Sequence, residues 1–137
     1  MQLDPQEARE LFGSARVARL ATVREGGGPH LIPICFALDG DTLFTAVDHK
    51  PKRTADLARL RNIAAEPRVS VLADLYDEDW SQLWWARMDG TAEVTDDPAA
   101  REHAIGLLRA RYVQYTDAPP DGPVVVVAAT TWSGWRS

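Results

Sequence analysis

Cysteine is nearly absent: one residue, Cys35, occurs in 137. An internal disulfide framework and a thiolate-built zinc site both need at least two sulfurs, so neither is expected, and a reducing cytoplasm suits the chain. Histidine is also scarce. His30, His49 and His103 are scattered, with no HExxH spacing and no adjacent carboxylate pair, which argues against a metal site. No stretch approaches the roughly 20 apolar residues of a membrane span, and the polar opening MQLDPQEARELFG has no apolar signal core. The reading is a soluble cytoplasmic protein with no membrane partner. Positive charge is in the minority, 15 Lys and Arg against 20 Asp and Glu, for a net −5. General attraction to nucleic acid or to an anionic membrane is therefore not expected.

Side chains for catalysis are lacking too. Ser133 in WSGW has neither the first glycine nor the following helix of a nucleophile elbow. Cys35, between Ile34 and Phe36, reads as a packed small hydrophobe. Asp77, Glu78 and Asp79 read as a solvated turn. Catalytic residues are thus expected to be none, and any chemistry would reside in a bound cofactor.

What is present suffices for one domain over residues 1–137, since 45% of the residues are hydrophobic. Asp4-Pro5 opens a helix that stops at Gly13. Residues 17–23 and 31–38 read as strands joined by the glycine turn at 25–29, and residues 42–47 continue them into a three-stranded meander. Residues 54–65 have helical spacing, 68–75 read as a central strand, and 83–94 as a long strand bulged near Asp89-Gly90. A helix from Asp97 to Tyr112 and a strand over 124–132 complete the chain. Six strands with few helices predict a mainly β (α+β) fold, a six-stranded antiparallel split β-barrel with flanking helices.

Two features point to a ligand. Lys50-Pro51-Lys52-Arg53 lies between a strand and a helix in an acidic chain. A helix start has unpaired N–H groups and a partial positive charge, so these cations would build a receptor for phosphate or carboxylate. Five tryptophans are many for this length, and Trp80, Trp84 and Trp85 cluster. Trp84 and Trp85 must point to opposite faces of a strand, so one can fill the barrel while the other reaches a second subunit or a flat ligand. Trp132 and Trp135 are read as a tail that docks on something.

The order of these segments resembles the flavin-reductase-like split barrels related to pyridoxamine 5′-phosphate oxidase, and more narrowly their actinobacterial branch that uses the deazaflavin coenzyme F420. The segments that carry it are RVARLATVREGGGPHLIPICFAL, DHKPKRTADLARLRNIAAEPRVSVLAD, YDEDWSQLWWARMDGTAEV and the WSGW tail. The resemblance implies a homodimer with cofactor sites at the subunit interface and a small-molecule substrate. It places the cofactor phosphate on Lys50, Lys52 and Arg53 with Pro51 among them, and the ring against backbone near Thr22, Pro33, Thr45, Ala46 and Val47. Trp80, Trp84 and Trp85 become contacts across the interface. The protein would be an F420-dependent oxidoreductase. The alternatives are an FMN-dependent oxidoreductase on the same barrel, and a non-catalytic binder of a flavin-like or haem ligand.

Overall fold

The computed structural model describes residues 1–47 and 54–137. Helix α1 (Pro5–Ser14) begins where Asp4 predicts. The Asp4 carboxylate accepts from the Glu7 N–H at 2.9 Å, and the Glu7 carboxylate accepts from the Asp4 N–H at 3.2 Å. This reciprocal cap satisfies two donors that the first turn leaves free. The helix passes Gly13 by one residue, and the Ala15 N–H closes it on the Phe12 carbonyl at 3.1 Å.

Strands β1 (Ala18–Val23) and β2 (Pro29–Ile34) form an antiparallel hairpin. Its turn uses positive φ at Gly26 (91°) and Gly27 (98°), which side chains disfavour. After β2 the expected strand does not continue. It breaks at Cys35 and Phe36, and β3 (Ala37–Asp39) pairs with β4 (Thr42–Ala46) instead of with the hairpin.

The remaining elements are α2 (Thr54–Ala65), β5 (Arg68–Leu75), a 3₁₀ turn (Trp80–Gln82), β6 (Trp84–Thr95), α3 (Pro98–Arg111), the short α4 (Gln114–Asp117) and β7 (Val124–Arg136). Seven strands, one more than expected, form a single antiparallel sheet in the order β2-β1-β5-β6-β7-β4-β3. The meander expected from the first three strands is absent, because β2 and β3 lie on opposite edges of the sheet.

That order dictates the shape. Ile34 ends one edge strand and Ala37 begins the other, and three residues of chain span at most about 11 Å. The sheet must therefore curl until its two edges nearly meet, the geometry of a split barrel. Backbone groups at the crossover have no ladder partner, and Tyr112 at the end of α3 meets them. Its hydroxyl accepts from the Phe36 N–H at 3.0 Å and lies 2.9 Å from the Phe36 carbonyl and 3.0 Å from the Arg16 carbonyl, sharing its one proton between them.

Inside the curl, Leu20, Val71, Met88, Val127 and Leu43 are fully buried. Phe12 of α1 packs among them, 5.0 Å from the Phe36 ring and 5.3 Å from Trp132. Trp132 is thus a core residue of β7, 9% exposed, and not part of a docking tail; its indole N–H donates to Asp41 at 3.0 Å. The strand runs four residues beyond its expected end because it pairs with β6 as far as Arg136.

The expected bulge occurs opposite Asp89 and Gly90, where the β6–β7 register skips Thr130. The Thr130 hydroxyl donates to the Asp89 carbonyl at 2.9 Å, replacing a ladder bond there. Helix α3 covers the outside of β3 and β4, with Ala104, Leu108 and Tyr112 against Ala37, Phe44 and Val124. Among the described residues no helix is long and apolar enough to cross a membrane.

Substituting Tyr112→Phe keeps the ring but leaves the Phe36 amide and carbonyl unpaired. A loss of about 1–3 kcal/mol in urea unfolding is expected. Unchanged stability would show that the hydroxyl does not hold the crossover.

Candidate cofactor site

Buried hydroxyls on β4 and β1 tie those strands to neighbouring elements. On β4 the Thr45 side chain is buried, and its hydroxyl donates to the Cys35 carbonyl at 2.8 Å, tying β4 to the crossover. On β1 the Thr22 hydroxyl, also buried, accepts from the Asn62 side chain of α2 at 3.0 Å. Pro33 is exposed on β2, opposite Arg19. It stands on an edge strand, where the missing N–H costs no ladder bond. Cys35 is exposed rather than packed, because the crossover turns it out of the sheet while Ile34 and Phe36 on either side are buried.

Strand β4 leaves the sheet through a fixed exit. The Val47 N–H donates to the Pro123 carbonyl at 2.9 Å, and the Gly122 N–H donates to the Val47 carbonyl at 3.2 Å. A Cβ on Gly122 would lie 2.6 Å from that same oxygen, so only glycine permits the approach. Ala46 is half-buried and Val47 buried beside this exit. Lys50, Pro51, Lys52 and Arg53, like His49 before them, lie outside the described residues. What the structure describes is their two flanks: the pinned exit at Val47, and α2, which is held to β1 through Asn62.

Helix α2 turns a mixed face inward. Ile63 and Leu60 pack on the core, whereas Ala64 is exposed. Arg59 and Asn62, three residues apart, are buried on the same helix. Neither was legible as a site residue, since the sequence signal was only two polar residues within an amphipathic repeat.

His30 on β2 pairs with Thr22 in the hairpin register. Burial, and then the charges of Arg24 and Arg59, hold its imidazole below the ordinary value. At the turn from α2 into β5, Arg68 donates from both its side chain and its backbone to Glu66, lowering that carboxyl to about 2.

The tryptophans lie elsewhere. Trp80 is 66% exposed on the 3₁₀ turn, Trp84 packs partly on the core, and Trp85 stands on the outer sheet face with Arg87 5.8 Å over its ring. Trp85 pairs with Trp135 near one end of β7, whereas Thr45 pairs with Val125 near the other. Ten residues of strand, about 33 Å, separate the two pairs. One protomer does not bring Trp85 and the β4 exit to one small ligand.

Two open clefts border α2 and the bulge. One, of about 580 Å³, lies over Thr22, Ser70, Asp89 and Thr130; the other, of about 610 Å³, lies between Ile63 and Pro67 on one side and Val94 and Val126 on the other. Each is large enough for a flat ring system.

Solved structures share this architecture. An FAD-binding protein from Mesorhizobium loti is 22% identical, over 98% of this chain and 93% of that one, with a TM-score of 0.72. The FAD binding protein from Mycobacterium smegmatis is 21% identical, over 99% and 97%, with a TM-score of 0.67. A conserved hypothetical protein, Rv2991, from Mycobacterium tuberculosis is 21% identical, over 98% and 85%, with a TM-score of 0.76. At these identities the likeness establishes the fold. The match to the pyridoxamine 5′-phosphate oxidase family spans residues 4–136, from the α1 cap to the last residue of β7, and the chain belongs to that family.

Proposed function

We propose that the protein is an oxidoreductase that binds a flavin-type cofactor at the split of the barrel, with the deazaflavin coenzyme F420 as that cofactor and a small organic molecule as the acceptor. The observation that carries this reading is the anchoring of both flanks of residues 50–53, by the Val47–Pro123 bond on one side and the Asn62–Thr22 bond on the other. Fixed flanks suit a receptor whose charges must be in place before the ligand arrives. The donor set fits a phosphate-bearing cofactor: Lys50, Lys52 and Arg53 are cations, and Arg24 and Arg59 add positive charge from β1's end and from α2.

When bound, a deazaflavin supplies two-electron hydride chemistry. The chain's own part is positional. Lys50, Lys52 and Arg53, with Pro51 among them, hold the phosphate, and backbone near Thr22, Pro33 and Thr45 to Val47 supports the ring. FMN on the same site is the second reading; the two solved structures of proteins named as FAD-binding support a flavin in general.

Trp80, Trp84 and Trp85 complete the site from a second copy, since a single chain keeps Trp85 and β4 at opposite ends of β7. The outer face that would meet that copy exposes Leu31, Leu72, Trp85 and Trp135, more apolar surface than water favours in one patch.

Titration of the purified protein with F420, FMN and FAD in one buffer is expected to give saturable binding, tightest for F420; tighter FMN or FAD binding overturns the deazaflavin preference. Lys52→Ala and Arg53→Ala should each weaken binding by about 10- to 100-fold and change stability by no more than about 1 kcal/mol. Binding by both variants as tight as that of the unsubstituted protein places the phosphate elsewhere. Sedimentation should show a dimer at micromolar concentration, and Trp85→Glu should shift it to a folded monomer with weakened cofactor binding.

A further inference from the structure

The irregularity in β6 fixes a carboxylate on the outer face of the sheet. Trp85, Arg87 and Asp89 alternate with the buried Ala86 and Met88, so all three stand on that face. Asp89 lies where the β6–β7 register skips Thr130, and the Thr130 hydroxyl holds its backbone carbonyl at 2.9 Å. Its side chain is held at both oxygens. Ser70, directly opposite on β5, donates to Oδ1 at 2.5 Å, and the Arg87 Nε donates to Oδ2 at 3.1 Å. Arg87 in turn has its guanidinium carbon 5.8 Å from the centre of the Trp85 ring, within the range of a cation–π contact.

The neighbours of Arg87 show why Asp89 matters to it. Leu72 faces Arg87 from β5 and Ser133 faces it from β7, and neither carries a charge. Among the described residues Asp89 is the carboxylate that pairs with Arg87. With its Nε taken and its charge answered, the guanidinium has one favoured place beside the indole. An exposed tryptophan left alone on a strand samples several rotamers, and a ligand that stacks on it must stop that motion. Immobilising one such side chain weakens binding by about 2- to 10-fold.

The geometry points to Asp89 as a positioning residue that acts through Arg87 to hold the Trp85 indole ready for a flat ring. This role rests on the proposed placement of Trp85 against the cofactor of a second copy. It also accounts for the bulge, since bulges re-aim side chains beside functional sites.

Fluorine NMR reads the Trp85 environment directly. In protein labelled with 5-fluorotryptophan, the signal lost in Trp85→Phe belongs to Trp85. Without cofactor, Asp89→Asn and Arg87→Met should each shift or broaden that signal while the urea midpoint stays close to that of the unsubstituted protein. Ser70→Ala should shift it too, and Ser70→Thr, which keeps the hydroxyl, should restore it. In titrations with F420, FMN and FAD, Asp89→Asn should weaken the cofactor that binds by about 2- to 10-fold. The same substitution made in Trp85→Leu should change binding little, because the side chain through which it acts is gone.

A Trp85 signal that is the same in Asp89→Asn as in the unsubstituted protein overturns the role of Asp89. So does unchanged cofactor affinity in that variant, or an equal loss with and without Trp85. If the signal moves but none of the three cofactors binds the unsubstituted protein, the hold on Trp85 stands and the cofactor reading fails. If a cofactor binds while Asp89→Asn leaves both signal and affinity as they were, the cofactor reading stands and the role of Asp89 fails.

Discussion

The Tyr112 hydroxyl meets the backbone of Phe36 at the point where the chain leaves one edge of the sheet and joins the other. A seven-stranded antiparallel sheet has two edges with unpaired N–H and C=O groups, and this protein folds them toward each other with only Cys35 and Phe36 between. The connection is too short for secondary structure of its own, so its polar groups need side-chain partners. Tyr112 serves Phe36, and Thr45 serves the Cys35 carbonyl. The curl, the enclosed core and the open split at the site all depend on that closure.

Around the hydroxyl, helix ends and cations reinforce one another. Arg111 stacks 4.7 Å over Phe36 and donates to the Gly13 carbonyl at 2.9 Å and to the Ala15 carbonyl. Arg16 lies 5.0 Å over the Tyr112 ring and donates to the Arg111 carbonyl at 2.6 Å. Both guanidiniums therefore meet the carbonyl ends of α1 and α3, where the helix dipoles are negative. The same carbonyls would otherwise be free acceptors at the base of the barrel. Helix ends, crossover and core thus share one hydrogen-bonded knot, which fixes where β2 and β4 stand relative to each other.

Electrostatics at the split run against the net charge of the chain. In a protein with a formal −5, Arg24 and Arg59 both lie near enough to His30 for their charge to act on it, so the long-range field discourages polyanions while the local field there is positive. Elsewhere many of the ion pairs are exposed, such as Arg19–Asp74 at 3.3 Å, and add little to stability. Charges close to backbone and buried polar groups act more strongly, because water screens them less.

Much of the local structure was legible in the residues. The Asp4 cap with Pro5 and Glu7, the glycine turn, the long strand irregular near Asp89-Gly90 and the Asp97-Pro98 helix start all follow from short-range rules of φ, capping and periodicity. Pairing partners did not follow. Residues 31–38 alternate as one strand, yet their two halves join opposite edges, because alternation reports which face is buried and not which neighbour supplies the hydrogen bonds. For the same reason Trp132 looked like part of a tail until β6 paired along it, and Asn62 looked like helix filler until Thr22 came within 3.0 Å. The sequence by itself determined the elements, their caps and a concentration of cations in an acidic chain. Only the tertiary structure decided that β2 meets β3 across a split and that Trp85 is a strand's length from Thr45, since both depend on contacts between residues far apart in the chain.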